Sequence, residues 1–340
     1  MAELYHPVKI GNLEIPGNLF LAPIAGYSDR AFRYVCTLNG ADMCYTEMVS
    51  SEALYRGSGK TENLLARADN EKFFAVQLFG GDEKAIYEST KIVIEKYNPS
   101  LIDINCGCPV PKIIKSGAGS FLTKNPDKLK SIAQAAIKAS NDFSPDKENP
   151  VPITVKIRSG WDSSSLTWKD ASAAALEAGC KAITIHPRTK KQGYEGKADW
   201  NILAQLVQYA AKIAPEVPIF GSGDVFSPED ARRMLEETGC RGVMFARGAM
   251  GNPFQFAQTK QLLKTGSYQE IPISKKIETG MQELDILVQD KGEDIACREM
   301  RKRFCCYTKG ISNGAQIRTS IVSACTVQDY KKIANLILNL

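Results

Sequence analysis

Cys108 lies next to the end of a run, Leu101-Ile-Asp-Ile-Asn-Cys-Gly-Cys-Pro109, that starts as a buried strand and breaks into Asn, Gly, Cys and Pro. A β-branched apolar run stopped by Gly and Pro puts this thiol on the loop past the strand's carboxyl end, where parallel α/β folds keep their chemistry. Alone, it would read as a small buried hydrophobe, as most free cysteines do. In company with other polar residues at strand ends it reads as a proton donor. Lys156 lies inside Ile-Thr-Val-Lys-Ile, where a parallel strand leaves little water for an ammonium outside a ligand-filled mouth. His186 follows Ile183-Thr-Ile185 and precedes Pro187-Arg188, again a strand-to-loop break. Gln77 is the least distinctive of the set, because an inward glutamine can simply fill a barrel layer.

The elements that would position these residues alternate regularly. Strand patterns fall at 19–23, 42–47, 73–79, 101–104, 152–157, 182–185, 218–220 and 242–245, separated by helical signals such as Ser28-Asp29, Asp82, Asn125-Pro126-Asp127 and the capping sequence Ser227-Pro-Glu-Asp230. Eight βα units predict a closed (β/α)₈ TIM barrel over 1–255. Residues 8–15 alternate about Gly11-Asn12 and predict a hairpin capping the barrel's amino-terminal end. Beyond Gly251-Asn-Pro253 the strand pattern stops, and helices are expected at 254–263, 273–289, 296–309 and 327–338. They make a small all-helical carboxyl-terminal domain over 265–340, with Gly266-Ser267 and Ile271-Pro272 as the linker.

The inventory at the strand ends is coherent. Pro23, Ile24, Ala25 and Gly26 are small and leave room for a flat ligand; Gln77, Asn105, Cys108, Lys156, Arg158, His186 and Arg188 follow on later strands. The last two strands end in Gly221-Ser222-Gly223-Asp224 and Ala246-Arg247-Gly248, turns that lead into helices and suit a phosphate. A flat cofactor with one phosphate that wants a cation near its pyrimidine edge is flavin mononucleotide (FMN), whose anionic reduced form Lys156 would stabilise.

Composition sets bounds. The 340 residues carry ten cysteines but only two histidines, and no paired C-x-x-C spacing, so reduced thiols and no metal are expected. With no apolar stretch of membrane-spanning length and no signal-like amino terminus, a cytoplasmic protein without a membrane partner is expected. Net charge is +5, of which the final 51 residues, with nine basic and five acidic side chains, hold +4. That asymmetry suggests an appendage facing a polyanion.

Together the motifs identify a resemblance. Ala22-Pro-Ile-Ala-Gly-Tyr-Ser-Asp29, Asp103-Ile-Asn-Cys-Gly-Cys-Pro109, Val155-Lys-Ile-Arg-Ser-Gly-Trp161, Thr184-Ile-His-Pro-Arg-Thr189 and Ala246-Arg-Gly-Ala-Met-Gly-Asn-Pro253 resemble, in order, the signatures of the bacterial tRNA-dihydrouridine synthases. Ser222 and Ala246 depart mildly from the family's usual Asn and Gly, at positions expected to act through backbone groups. The resemblance implies reduction of the uridine C5–C6 bond in tRNA, with NADPH as reductant, hydride passing from FMN N5 to uracil C6, and Cys108 protonating C5. It implies that Asn105 and Arg158 hold the uracil, and that Pro23, Ile24, Ala25, Gln77, Lys156, His186, Ser222, Gly223, Asp224, Ala246 and Arg247 contact the flavin. The target uridine must leave its stack, so tRNA is the expected partner. Arg298, Arg301, Lys302, Arg303, Lys309 and Arg318 are expected to grip its phosphates, although consecutive residues 301–303 cannot share one helix face. A monomer is expected. Two rivals stay open: an FMN-dependent dehydrogenase of a free pyrimidine such as dihydroorotate, and a catalytically dead RNA-binding scaffold.

Overall fold

The structure, a computed structural model, describes residues 3–339. Its strands are β1 (Val8–Ile10), β2 (Leu13–Ile15), β3 (Leu19–Leu21), β4 (Met43–Ser50), β5 (Phe74–Phe79), β6 (Leu101–Cys106), β7 (Ile153–Gly160), β8 (Ile183–Thr189), β9 (Ile219–Ser222) and β10 (Gly242–Phe245). Strands β3 to β10 close into a parallel barrel in sequence order, β10 pairing with β3. All eight sequence-read strands are present, five of them (β4, β6, β7, β8 and β9) running two to four residues further toward the mouth than expected.

Alternation along the strands builds the interior in layers. Outward residues such as Ile102, Ile104, Val155, Ile157, Ile183 and Ile185 join the main core under the helices. Inward residues nearest the amino-terminal end are apolar: Phe20, Met43, Ala75, Leu101, Phe220 and Met244 pack with Val8, Ile10 and Ile15 of the β1–β2 hairpin. The hairpin is therefore the plug expected from residues 8–15. Above this layer the inward positions turn polar.

Outer helices follow the strands, with Asp29, Asp82 and the Ser227/Asp230 capping box supplying N-caps where the sequence signals stand. One unit departs from the pattern: after β4 there are only the short helices Ser51–Tyr55 and Gly59–Glu62 and a 3₁₀ turn. The helix Gln255–Thr265, which the sequence groups with the carboxyl-terminal helices, completes the barrel instead: Phe256 is buried against Phe245, and Ala257 N–H donates to Asn39 O at 3.0 Å.

The remaining helices, Ile273–Lys291, Glu293–Tyr307, Gly314–Ser323 and Val327–Leu338, share a second apolar core of Ile277, Leu284, Leu287, Met300, Phe304, Tyr307, Tyr330 and Ile333. Ala31 from the first barrel helix is buried in that core too. Helix Gly314–Ser323 is absent from the sequence-based expectation.

Candidate active site

The polar inward layer begins below the mouth. Asp103, fully buried on β6, accepts from Thr154 Oγ1 at 2.6 Å and from Gln77 Nε2 at 2.7 Å. Gln77 Oε1 in turn accepts from Asn105 Nδ2 at 2.8 Å, and Asn105 Oδ1 accepts from the N–H groups of Gly107 (3.1 Å) and Cys108 (2.9 Å). A relay of four side chains thus fixes the Asn105 amide and, through it, the loop bearing the thiol. Burial pushes the Asp103 carboxyl up to about 6. Asp103 and Thr154 carry no role in the sequence reading; the available signal was a carboxylate inside an apolar strand.

Cys108 is half-buried, whereas Cys106 on the outward face of β6 is fully buried in the core, so only one of the two thiols reaches the mouth. Burial raises the Cys108 pKa, partly offset by the N–H of Val110 and by Arg158, and keeps the proton on sulfur. The loop is held from the other side by Ser120, whose N–H donates to Cys108 O at 3.0 Å and whose hydroxyl donates to Gly107 O at 2.9 Å. Arg158, 3% exposed, donates Nε to Gly107 O at 2.8 Å and Nη1 to Thr189 O and Gly193 O at 3.0 Å each. Its Nη2 makes no hydrogen bond among the described residues and is left for a ligand.

A cavity of about 300 Å³ opens here, and it brings together every site residue read from the sequence: Cys108, Asn105 and Arg158, with Pro23, Ile24, Ala25, Gln77, Lys156, His186, Ser222, Gly223, Asp224, Ala246 and Arg247. That volume falls in the range of small-ligand pockets. Met48, Tyr194, Val225, Phe226 and Met250 also line it and were not singled out from sequence. Lys156 lies opposite Asn105 in the β6–β7 register and makes no ion pair among the described residues; burial, then Arg158, lower its pKa to about 8. The same burial, together with Lys156, Arg158, Arg188 and Arg247, pushes the His186 pKa well down, so the imidazole is neutral.

The strand-end turns are shaped for an anion. Gly223 has φ +100°, and a Cβ there would come within 2.6 Å of the His186 ring, so only glycine fits. The N–H groups of Gly223, Asp224, Arg247 and Gly248 have no hydrogen-bond partner among the described residues, which is the cradle that a phosphate fills. The Asp224 carboxylate is not part of that cradle. It is taken by Arg188 in a bidentate pair (2.8 Å each), by Ala198 N–H (2.8 Å) and by Arg247 Nη2 (3.2 Å). Arg188, 2% exposed, is thus a positioning residue.

One part of the sequence reading fails on the helical side. Arg303 is fully buried and cannot meet tRNA: its guanidinium pairs with Asp29 at 2.8 and 3.1 Å and with Glu283 at 2.6 Å. It lies on the inward stripe of its helix with Met300, Phe304 and Tyr307, and Glu283 is the matching buried charge on the neighbouring helix. Arg301 donates to Ala324 O, and Lys302 to Gly26 O at 2.6 Å, while Arg298, Lys309 and Arg318 are exposed.

Sequence comparison decides the family. The family described as Dihydrouridine synthase (Dus) matches residues 20–338, nearly the whole chain. The chain belongs to that family. A probable tRNA-dihydrouridine synthase of Treponema pallidum is 49% identical, with 97% of this chain and 96% of that protein covered. The tRNA-dihydrouridine synthase B of Vibrio cholerae is 33% identical over 88% and 89% of the two chains. Among solved structures, DHODH from Eimeria tenella in complex with ferulenol superposes with a TM-score of 0.54 at 17% identity, covering 77% of this chain and 85% of that one, a likeness of fold alone. This dihydrouridine synthase is an enzyme, its family implies a flavin, and the unpartnered N–H groups, the free Lys156 ammonium and the small residues 23–25 fit one.

Proposed function

We propose that this enzyme reduces uridine in tRNA to 5,6-dihydrouridine, with FMN as its flavin and NADPH as reductant. Full-length similarity to tRNA-dihydrouridine synthases supports the substrate class, and the observation that carries the chemistry is the convergence of Cys108, Asn105, Arg158 and Lys156 on one cavity. When bound, FMN supplies a hydride at N5 for uracil C6. Gly223, Asp224, Arg247 and Gly248 hold the flavin phosphate through backbone N–H groups, and Lys156 sets a cation against the ring where negative charge develops. Asn105 and the free Nη2 of Arg158 hold the uracil. Cys108, kept as a thiol by burial, gives its proton to C5 as carbon becomes nucleophilic. The basic helices orient the tRNA so that its turned-out base enters the mouth.

The two half-reactions separate these roles. Cys108→Ala is expected to leave reduction of bound flavin by NADPH near the wild-type rate and to slow tRNA-dependent reoxidation by about 10² to 10⁴. Equal slowing of both steps would overturn the proton-donor assignment. Turnover of free dihydroorotate, with no activity on tRNA, would select the rival dehydrogenase reading. A protein that neither carries nor takes up flavin would select the dead scaffold.

A further inference from the structure

Beside the active-site cavity lies a second one of about 290 Å³, sharing Phe226, Arg247 and Met250 with it. Its other walls include Asn252 and Gln255 from the loop and helix after β10, Lys276 from helix Ile273–Lys291, and Lys309 just beyond helix Glu293–Tyr307. Arg247, Lys276 and Lys309 are the charged residues on its surface; no carboxylate lines it. Arg247 is shared with Asp224, but Lys276 and Lys309 form no ion pair among the described residues.

Folding does not ask for this concentration of charge. Lys309 follows a helix carboxyl terminus, where a cation is welcome, but Lys276 occupies the first turn of its helix, where the helix dipole disfavours one. The walls cannot readily relax to spread the charges. Gly251 has φ +66°, and a Cβ there would come within 2.6 Å of Tyr307 N, so the barrel loop sits directly against the helix backbone. In the same wall Gln255 is 3% exposed and its amide N–H donates to Phe226 O, which ties this wall to the loop that the two cavities share.

We propose that this second cavity is a phosphate subsite, in which Lys276, Lys309 and Arg247 hold a nucleotide phosphate next to the reacting base. The inference rests on the functional reading above. A phosphodiester of the tRNA strand flanking the turned-out uridine has the required charge and adjacency. A phosphate of the reductant is the other source of the same chemistry.

The test uses the full-length, flavin-loaded enzyme. Lys276→Ala with Lys309→Ala is compared with Lys276→Arg with Lys309→Arg, and with Lys331→Ala plus Lys332→Ala, which removes equal charge from exposed positions on the last helix. For each, tRNA affinity at two salt concentrations, KM for NADPH and for NADH in flavin reduction, and flavin content are measured. On the tRNA source, the cavity alanine pair weakens tRNA binding about tenfold at low salt and flattens the salt dependence by about one unit, the arginine pair restores both, and KM for NADPH is unmoved. On the reductant source, the same pair raises KM for NADPH but not for NADH and spares tRNA affinity. Wild-type values for both ligands, or losses matched by the Lys331/Lys332 pair, overturn the subsite. Failure of the functional reading is distinct, because it appears as a parent enzyme inactive on tRNA.

Discussion

With its ammonium half-buried among cations, Lys156 gives up its proton near pH 8 in the folded chain and near 10.5 in the unfolded one. Between those values unfolding takes up a proton, so the flavin-free protein gains stability as pH rises through that window and carries the whole penalty below it. A bound anion reverses the preference: it draws the proton back, so affinity for reduced flavin is level below about pH 8 and falls above it, by up to about tenfold per unit. Lys156→Met should flatten both trends and weaken flavin binding at neutral pH; titrations of stability and flavin affinity from pH 7 to 10 check this. Cys106 supplies a control at the same scale. Its side chain lies in the core behind β6, so Cys106→Ala should leave both half-reactions near wild type, and a loss equal to that of Cys108→Ala would mean the wrong thiol has been assigned. The thiol was legible in the sequence because Gly107 and Pro109 bracket it. The Asp103, Gln77 and Asn105 relay was not, because three residues on two strands meet only through the barrel's register.

Helix Glu293–Tyr307 buries Ala296, Cys297, Met300, Arg303, Phe304 and Tyr307, a stripe at helical spacing with one guanidinium in it. That guanidinium faces Asp29, the N-cap of the first barrel helix, and Glu283, which also accepts from Tyr307 Oη at 2.8 Å. Arg303→Met should therefore cost about 3 to 5 kcal/mol, since it strands two buried carboxylates rather than merely shortening a side chain. A lowered denaturant midpoint with unchanged m-value is the expected reading, and an unchanged midpoint would overturn it, because Lys291 is bonded to Asp29 at 2.9 Å but leaves Glu283 without its cation. Charge count alone misassigned Arg303 to the surface. Its position on the apolar stripe was the better guide, and Glu283 on the facing stripe completes the signal.

For the whole molecule, the eight barrel strands were readable because each is a short apolar or β-branched run cut off by Gly, Pro or a polar residue, and their parity determines which side chains enter the mouth. Two helical features were not. The unit after β4 has no long helix, and Gly314–Ser323, rich in Ser and Thr and opened by Asn313-Gly314, has a weak apolar face that becomes helical by packing Ile317 and Ile321 into the second core. Excess charge remains on the helical side, and removing Arg298 and Arg318 together should lower tRNA affinity and flatten its salt dependence by roughly one unit for each phosphate no longer neutralised, with flavin content unchanged. Unchanged affinity and slope would place the tRNA on another surface. Because Arg303 reaches into the barrel for Asp29, and Gly251 lies against the backbone of Cys306 and Tyr307, the helical part is not a detachable module. Exchanging it between family members requires transplanting Asp29, Glu283, Arg303 and the Gly251 loop as a matched set, since a graft cut at residue 266 alone would join a foreign helix to a carboxylate shaped for another partner.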